Sequence, residues 1–409
     1  MTPGIDGALL MDRLRELGAT GRDDAGRLCR IAATDADKAG RDLLCKWLDG
    51  AGLDIRIDRI GNIYGVWSPG GASGDPVVVG SHIDTVIDAG IFDGCYGVLS
   101  GLAVIEALKT AGADLRRPLA VAAFTNEEGV RFAPDMMGSL VAAGGMDVDI
   151  ALSTIGNDGL TLGSELARIG YAGTEQPGFL QPHAYVELHI EQGPVLEAEG
   201  LSLGAVESLQ GISWQKITIA GSANHAGTTP MAMRKDAGVA AARVIAHLDA
   251  SARDTTGAVA TVGTMMLEPG AINVIPAKAT FTVDLRNPVE SRLQASETAL
   301  ANFLNVLRGE GYAIETERLA RFEPVVFSPA IVSEIERSAQ RRQITCRRMT
   351  SGAGHDAQMM ARVAPAAMIF VPSRSGVSHN PAEFTEDAAL IRGASVLLDV
   401  VQNLAGKAT

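Results

Sequence analysis

The chain has 409 residues, of which 46% are hydrophobic, and a formal net charge of −13 at pH 7. This length predicts two domains, and the acidic balance without a long basic run argues against nucleic acids and anionic membrane surfaces as partners. No apolar run is long enough to span a bilayer, residues 1–6 lack a signal-peptide pattern, and the four cysteines show no framework spacing. We therefore expect a cytoplasmic protein with reduced thiols.

In the first half of the chain, helical periodicity alternates with short apolar runs. Apolar side chains at helical spacing occupy residues 7–52 and 94–111. The apolar runs predict strands near residues 55–57, 63–67, 77–79, 119–124 and 186–190. Strands that alternate with helices predict an α/β fold with a mixed, largely parallel sheet flanked by helices. In such sheets, ligands bind beyond the carboxyl ends of the strands.

The pattern changes near residue 210. The segments with strand or helix periodicity are then, in order, residues 214–220, 230–252, 259–265, 280–285 and 293–307. They predict an inserted α+β domain at residues 210–325. Because the apolar run at residues 366–371 resumes the earlier pattern, residues 1–209 and 326–409 are predicted to form one discontinuous domain.

Polar residues follow several of the predicted strands. Glu127 and Glu128 come directly after residues 119–124, and two carboxylates are costly to bury unless the site needs negative charge. Transition-metal hydrolases bind metal through imidazole and carboxylate groups. The candidate ligands of a site for two metals are, in order, His82, Asp93, Glu128, His189 and His379.

The remaining polar residues suggest separate roles at such a site. Asp93 is the natural bridge between two metals, Asp84 can orient the imidazole of His82, and Glu127 can act as general base. Each motif alone has an ordinary interpretation: a solvated Glu-Glu pair, a His-x-Asp turn, or a helix cap at Asp93. Their joint occurrence after apolar strands favours a metal site with a built-in base.

The candidate residues belong to a series of short motifs that extends along the chain. They are Gly80-Ser-His-Ile-Asp84, Phe92-Asp-Gly94, Phe124-Thr-Asn-Glu-Glu-Gly129, Leu188-His-Ile-Glu-Gln-Gly-Pro194, Ala223-Asn-His-Ala-Gly-Thr-Thr-Pro-Met231, Asn273-Val-Ile-Pro276, Asp284-Leu-Arg286, Ser351-Gly-Ala-Gly-His-Asp356 and Ser378-His-Asn-Pro381. With them, the chain resembles the metal-dependent aminoacylase/carboxypeptidase superfamily over about residues 20–400. Within that superfamily, it is most similar to the hydantoinase/carbamoylase amidase family.

The resemblance implies a zinc-peptidase-like catalytic domain and a lid domain that also forms the interface of a homodimer. It implies that the five candidate ligands bind two divalent metal ions, either Zn²⁺ or Mn²⁺, with Co²⁺ or Ni²⁺ as alternatives. Glu127 matches the family's general base. His225 matches a lid histidine that reaches the active site, commonly of the partner subunit. Gln192, Asn273 and Arg286 match substrate-binding positions.

For several of these residues, the sequence also allows a purely structural role. Arg286 can form a surface pair with Asp284, and His225 can belong to a loop that leads into a helix. His355 is expected to have a structural or supporting role. Many relatives have a basic residue where this chain has Ile91, so any contact made by that residue is in doubt here.

The predicted reaction is hydrolysis of the ureido group of an N-carbamoyl-L-amino acid, which gives the amino acid, carbon dioxide and ammonia. Allantoate or ureidoglycolate hydrolysis is the first alternative, and aminoacylase or dipeptidase activity is the second. A peptidase-fold binding protein without catalytic activity is the non-enzymatic alternative. Retention of Glu127 and of all five candidate ligands argues against it.

Overall fold

A computed structural model describes residues 3–406 of the chain. These residues form two compact units, each with its own hydrophobic core. Unit 1 consists of the described residues up to Glu207 and from Phe327 onward, and unit 2 consists of Ser208–Val326.

The described residues contain both helices and strands. The α-helices are α1 Gly7–Ala19, α2 Asp35–Gly50, α3 Cys95–Thr110, α4 Met137–Ala142, α5 Val148–Leu152, α6 Leu162–Ile169, α7 Val195–Ala198, α8 Ala237–Asp254, α9 Glu290–Gly309, α10 Pro329–Arg341, α11 Asp356–Met360 and α12 Asp387–Ala405. The strands are β1 Asp54–Ile57, β2 Ile63–Trp67, β3 Val77–His82, β4 Leu119–Phe124, β5 Ala184–Ile190, β6 Leu203–Leu209, β7 Gly211–Ala220, β8 Val259–Thr261, β9 Met265–Glu268, β10 Lys278–Asn287, β11 Ala313–Phe322, β12 Val325–Val326, β13 Cys346–Ser351 and β14 Ala366–Val371.

The larger sheet of the described chain has the order β1-β2-β4-β3-β5-β14-β6-β12, and β13 also pairs with β6. Its central strands β4, β3, β5 and β14 are parallel, whereas β2 and β6 join them in antiparallel orientation. The four central strands are buried along their whole length, as parallel strands covered by helices are. The predicted α/β fold is therefore confirmed, with a parallel centre that antiparallel strands join on both sides.

Helix α12 is long and apolar enough, by length and composition alone, to cross a membrane. However, 56% of its apolar window is buried, and it packs against α3, α10, β5 and β14. Its apolar side chains therefore belong to the core of unit 1.

Unit 2 is built on a sheet with the order β11-β7-β10-β8, and β9 also pairs with β10. Alternate residues of β10 are buried with one face of α8 and α9, so the sheet and the two helices share one core. Helix α8 begins at Ala237 rather than near residue 230, because the side chain of Asp236 accepts the N–H groups of Gly238 and Val239. The strand predicted at residues 259–265 is instead divided into β8 and β9.

Candidate metal centre

The three neighbouring parallel strands β4, β3 and β5 bring the polar motifs of unit 1 together. His82 is the last residue of β3, and His189 lies next to the end of β5. Glu127 and Glu128 follow shortly after the last residue of β4, Phe124. Because parallel strands have their carboxyl ends at the same edge of a sheet, these side chains meet there.

His82, Asp93 and His189 form a buried group, here called the first triad. Asp93 Oδ1 lies 3.1 Å from His189 Nε2 and 3.7 Å from His82 Nε2. Gly94 follows with a φ of 62°, and a Cβ at this position would lie 2.5 Å from the His82 ring. Glycine is therefore required at this turn, both for its conformation and for the close approach of the imidazole.

Asp93, Glu128 and His379 form a second group, here called the second triad. Asp93 Oδ2 lies 3.2 Å from His379 Nε2, and Glu128 Oε2 lies 3.4 Å from the same nitrogen. Glu128 Oε1 is buried and has no hydrogen-bond partner within residues 3–406. Asp93 thus directs one carboxylate oxygen to each triad.

The imidazoles of the first triad are oriented for metal binding. His82 Nδ1 lies 2.9 Å from the carbonyl oxygen of Asp84, and His189 Nδ1 lies 2.9 Å from that of Ile190. An Nδ1–H group that donates to a carbonyl leaves the Nε2 lone pair free for a metal. Each of these Nε2 atoms faces Asp93 Oδ1, so a cation between them, either a proton or a metal ion, is favourable. Three imidazoles and two carboxylates fit a divalent transition metal.

The turn after β4 places the two glutamates. Asp84 Oδ1 accepts the N–H of Glu127 and Asp84 Oδ2 accepts that of Glu128, both at 3.2 Å. Asn126, immediately before them, has a φ of 56°, so the chain leaves the alternating geometry of the strand. Glu127 Oε2 then lies 3.4 Å from His82 Nε2, while Glu128 points to the second triad. The Asp84 carboxylate therefore orients the glutamates, and its backbone carbonyl orients the imidazole.

Electrostatics at this edge of the sheet are dominated by buried carboxyl groups. Burial, and then repulsion from neighbouring carboxylates, raises the pKa of Glu127 and of Glu128 well above the usual range. Burial also raises the pKa of Asp84 to about 7. A cation beside these groups would favour their charged forms.

Asp93 behaves in the opposite way. Despite burial, hydrogen bonds with His189 and His379 hold the pKa of Asp93 well below its usual range. Burial lowers the pKa of His189, but the hydrogen bond with Asp93 outweighs it and raises that pKa to about 9. Burial lowers the pKa of His82 to about 4. Asp93 is thus the carboxylate that stays ionised, and it attracts a cation, whether a proton or a metal.

Gln192 lies beside the second triad. Its Nε2 donates to Asp93 Oδ2 at 2.9 Å and to Ser378 Oγ at 3.1 Å. Because a carboxylate only accepts, the amide must turn its NH₂ group to Asp93. Gln192 Oε1 is left buried without a partner in the described part of the chain.

The other three predicted substrate-binding residues belong to unit 2. His225 and Asn273 are exposed and adjacent: His225 pairs with Val274, and the Asn273 carbonyl accepts the N–H of Ala226 at 2.9 Å. Arg286, on β10, lies with its Nη2 2.8 Å from Asp284 Oδ2. The ion pair considered from the sequence therefore forms.

Sequence reasoning missed the buried Glu187, whereas it gave the neighbouring His355 a structural or supporting role. Glu187 accepts the hydroxyl of Ser81 and the N–H of Ala357, both at 2.7 Å. The ring of His355 packs edge-on against that of His189, with centroids 4.5 Å apart. One signal was available, because Glu187 and His189 are two residues apart on β5 and must share a face of the sheet.

An α/β sheet with imidazoles and carboxylates at its carboxyl edge is typical of metal-dependent hydrolases. Residues 78–403 match the model of the peptidase family M20/M25/M40. The solved structure of a hydantoinase/carbamoylase family amidase from Burkholderia multivorans is 42% identical, with a TM-score of 0.96 and 99% of each chain covered. The chain belongs to the M20/M25/M40 peptidase family and, within it, to the hydantoinase/carbamoylase amidases.

Two named relatives are similar over most of the chain. The N-carbamoyl-L-amino-acid amidohydrolase of Rhizobium meliloti is 39% identical over 395 residues, which cover 96% of this chain and 95% of that protein. The allantoate amidohydrolase of Bacillus subtilis (strain 168) is 35% identical over 358 residues, 87% of each chain. The predicted family is confirmed, and so is the predicted class of enzyme, a hydrolase of C–N bonds.

Proposed function

We propose that this protein hydrolyses the linear amide bond of an N-carbamoyl-L-amino acid to the free amino acid, carbon dioxide and ammonia. The observation that carries the proposal is the pair of triads that share Asp93, with Glu127 3.4 Å from the first triad's His82. The similarity to N-carbamoyl-L-amino-acid amidohydrolases over nearly the whole chain supports the substrate class.

We propose two divalent metal ions, either Zn²⁺ or Mn²⁺, with Co²⁺ or Ni²⁺ as alternatives, since all four accept imidazole and carboxylate ligands. His82, Asp93 and His189 would hold one ion, and Asp93, Glu128 and His379 the other. When bound, such ions lower the pKa of water toward neutrality and polarise the carbonyl group of the substrate.

Glu127 is the proposed proton carrier. Its carboxylate accepts a proton from the attacking water as the water oxygen bonds to the ureido carbonyl carbon. The same carboxyl group then delivers that proton to the amino-acid nitrogen as the C–N bond breaks. The products are the amino acid and carbamate, which decomposes to carbon dioxide and ammonia. Asp84 contributes by holding the Glu127 turn through the backbone N–H groups.

The remaining polar residues would bind the substrate. Gln192 Oε1, a buried acceptor with no partner among residues 3–406, is suited to an N–H of the ureido group. Arg286 would pair with the α-carboxylate in exchange for Asp284. Asn273 would donate its amide to the carboxylate or oxyanion, and His225 would stabilise the oxyanion.

Unit 1 is the proposed catalytic domain, and unit 2 is the proposed lid and dimerisation domain of a homodimer. Strand β9 pairs with β10 at one side of the unit 2 sheet, and its Met265 and Met266 are exposed, as is Ile272 nearby. Apolar side chains on an exposed strand favour association with another chain. Sedimentation equilibrium of wild-type protein and of Met266→Lys tests this, and a monomeric wild type would contradict it.

Allantoate hydrolysis is the second candidate, because the allantoate amidohydrolase of Bacillus subtilis is also similar over most of the chain. Ureidoglycolate hydrolysis, aminoacylase or dipeptidase activity, and a catalytically inactive binding protein are the further alternatives. All of these alternatives share the same metal site. They differ in the chemical group of the substrate or ligand that would lie next to Glu127.

The test is an ammonia-release screen of protein reconstituted separately with Zn²⁺, Mn²⁺, Co²⁺ and Ni²⁺. The substrates are N-carbamoyl-L-amino acids, N-carbamoyl-β-alanine, allantoate and ureidoglycolate, with release of free amino acid from N-acetyl amino acids measured in parallel. We expect the highest kcat/KM for an N-carbamoyl-L-amino acid. A higher value for allantoate would transfer the assignment to the second candidate, and no turnover with any metal would favour the binding protein.

A further inference from the structure

One buried carboxylate joins the turn that presents Asp93 to the loop that presents His379. Glu383 Oε1 accepts the N–H of Phe92 at 3.0 Å and that of Asp93 at 3.3 Å. Glu383 Oε2 accepts the hydroxyl of Ser378 at 3.0 Å. Since Glu383 is only 6% exposed, these hydrogen bonds form away from bulk water, where they hold the two segments together firmly.

The hydrogen bonds around Ser378 have a defined direction. Ser378 Oγ lies 3.0 Å from Glu383 Oε2 and 3.3 Å from Asp93 Oδ2, and its single proton can serve only one of them. The shorter contact favours Glu383. Ser378 then accepts from the amide of Gln192, whose other N–H donates to Asp93. Glu383 thereby sets the orientation of Ser378 and Gln192 against the Asp93 carboxylate.

The backbone at Gly90 is shaped for Glu383. A Cβ on Gly90 would lie 2.2 Å from Glu383 Oε1 and 2.4 Å from Glu383 Cβ. Such a contact would force the glutamate side chain out of its place. Glycine is needed here for the space that Glu383 occupies.

The two triads do not depend equally on this contact. His82 and His189 are held at strand ends and by their own carbonyl contacts. His379 has a φ of 53° and a half-exposed side chain on a loop. The second triad therefore relies on whatever holds this loop to the Asp93 turn.

We propose that Glu383 is a positioning residue that fixes the Asp93 turn against the Ser378–His379 loop and so preorganises the second triad for metal. The proposal rests on the proposed two-metal function. Glu383 itself neither binds a metal nor touches substrate, and its effect passes through Asp93, Ser378 and His379. Residues that orient metal ligands in this way commonly change metal affinity or activity 10–100-fold when replaced.

The experiment is a titration of metal-free protein with Zn²⁺ against a chelating dye. It compares wild type with Glu383→Gln, which keeps the size of the side chain, and with Gly90→Ala, which displaces an unaltered glutamate. Glu386→Gln is the matched control, because Glu386 is exposed and pairs with Arg374 at 2.9 Å. We expect one of two sites to weaken about 10–100-fold in Glu383→Gln and Gly90→Ala, and neither site to weaken in Glu386→Gln.

Two further readouts separate positioning from general loosening of the fold. Metal-free Glu383→Gln should still unfold in one cooperative thermal transition, and kcat at sub-saturating Zn²⁺ should fall while KM changes little. Saturating Zn²⁺ should restore kcat. Unchanged affinity at both sites, or equal weakening of both, overturns the proposal.

Failure of the two-metal function gives a different result. If wild type binds one ion only, the predicted metal count is wrong. The role of Glu383 is then tested by the affinity for that single ion, and an unchanged affinity in Glu383→Gln overturns it. If wild type binds no ion, both proposals are overturned. Should Gly90→Ala fail to fold, Glu383→Gln decides the question.

Discussion

The two adjacent glutamates offer a direct test of the metal centre, because the same change from glutamate to glutamine should have different consequences at the two positions. Glu127→Gln and Glu128→Gln each replace a carboxylate by an amide of the same size. The turn that carries them is held through their backbone N–H groups by Asp84. Neither substitution removes those hydrogen bonds, so the backbone should stay in place in both variants.

The expected magnitudes follow from the two positions. Glu127 belongs to neither triad that contains Asp93, so Glu127→Gln should leave the metal content unchanged. Loss of a general base typically lowers the rate 10²–10⁴-fold, which corresponds to about 3–5 kcal/mol in activation free energy. Glu128 is one of three members of the second triad. A neutral amide is a weaker ligand than a carboxylate, so Glu128→Gln should lose an ion as well as activity.

The assay combines metal analysis of dialysed protein with ammonia release at saturating substrate. Wild type and both variants are prepared in parallel, and each is measured again after incubation with excess metal. Excess metal should restore part of the activity of Glu128→Gln and none of that of Glu127→Gln. Full metal with kcat within about tenfold of wild type in Glu127→Gln would refute its role as base. Full metal and full activity in Glu128→Gln would refute its role as ligand.

Three further predictions concern Asp84 and Arg286. Asp84→Asn turns a donor toward the N–H of Glu127 or Glu128, and we expect kcat to fall about 10–100-fold at constant metal content; an unchanged kcat would exclude a role for Asp84. In metal-free protein, burial raises the pKa of Asp84 from 3.8 to about 7, so the folded state keeps a proton that the unfolded chain has released. The free energy of unfolding should therefore decrease as the pH rises from 3.8 to about 7. Urea denaturation should show a smaller decrease in Asp84→Asn. Arg286→Met should raise KM for N-carbamoyl amino acids about 10–100-fold, because the loss of a hydrogen bond to a charged group lowers affinity by about that factor. Asp284→Asn should not raise KM. Equal KM values in Arg286→Met and wild type would exclude contact with the substrate carboxylate.

The structure brings the candidate ligands together where their prediction rests on short-range sequence patterns. The apolar runs at residues 77–79, 119–124 and 186–190 predict buried strands. The structure has these strands as Val77–His82, Leu119–Phe124 and Ala184–Ile190, and polar residues end or follow each of them. Since parallel strands align their carboxyl ends, the meeting of these residues could be predicted without knowing the strand order.

Other features depended on contacts between distant parts of the chain. Glu383 and Asp93 are 290 residues apart in sequence, and no local pattern indicates that one holds the other. The sequence also did not show that Asp84 contacts His82 through its backbone carbonyl and the Glu127 turn through its carboxylate. The spacing predicts only that Asp84 and His82 lie on the same side of the strand. In the same way, the pairing of Arg286 with Asp284 was only one of two alternatives until the side chains were placed.

The amino-acid sequence by itself determined the α/β class, the family and the candidate ligands, because apolar periodicity and strand-end polarity are local properties of the chain. Only the tertiary structure decided how Asp93 divides its two oxygens between the triads, and which groups hold it there. Those outcomes depend on differences of a few tenths of an ångström in the distances between segments that meet only after folding. The adjacent glutamates show the contributions of both sequence and tertiary structure. The sequence gives their residue types, but Asp84 and the turn at Asn126 direct them to different neighbours.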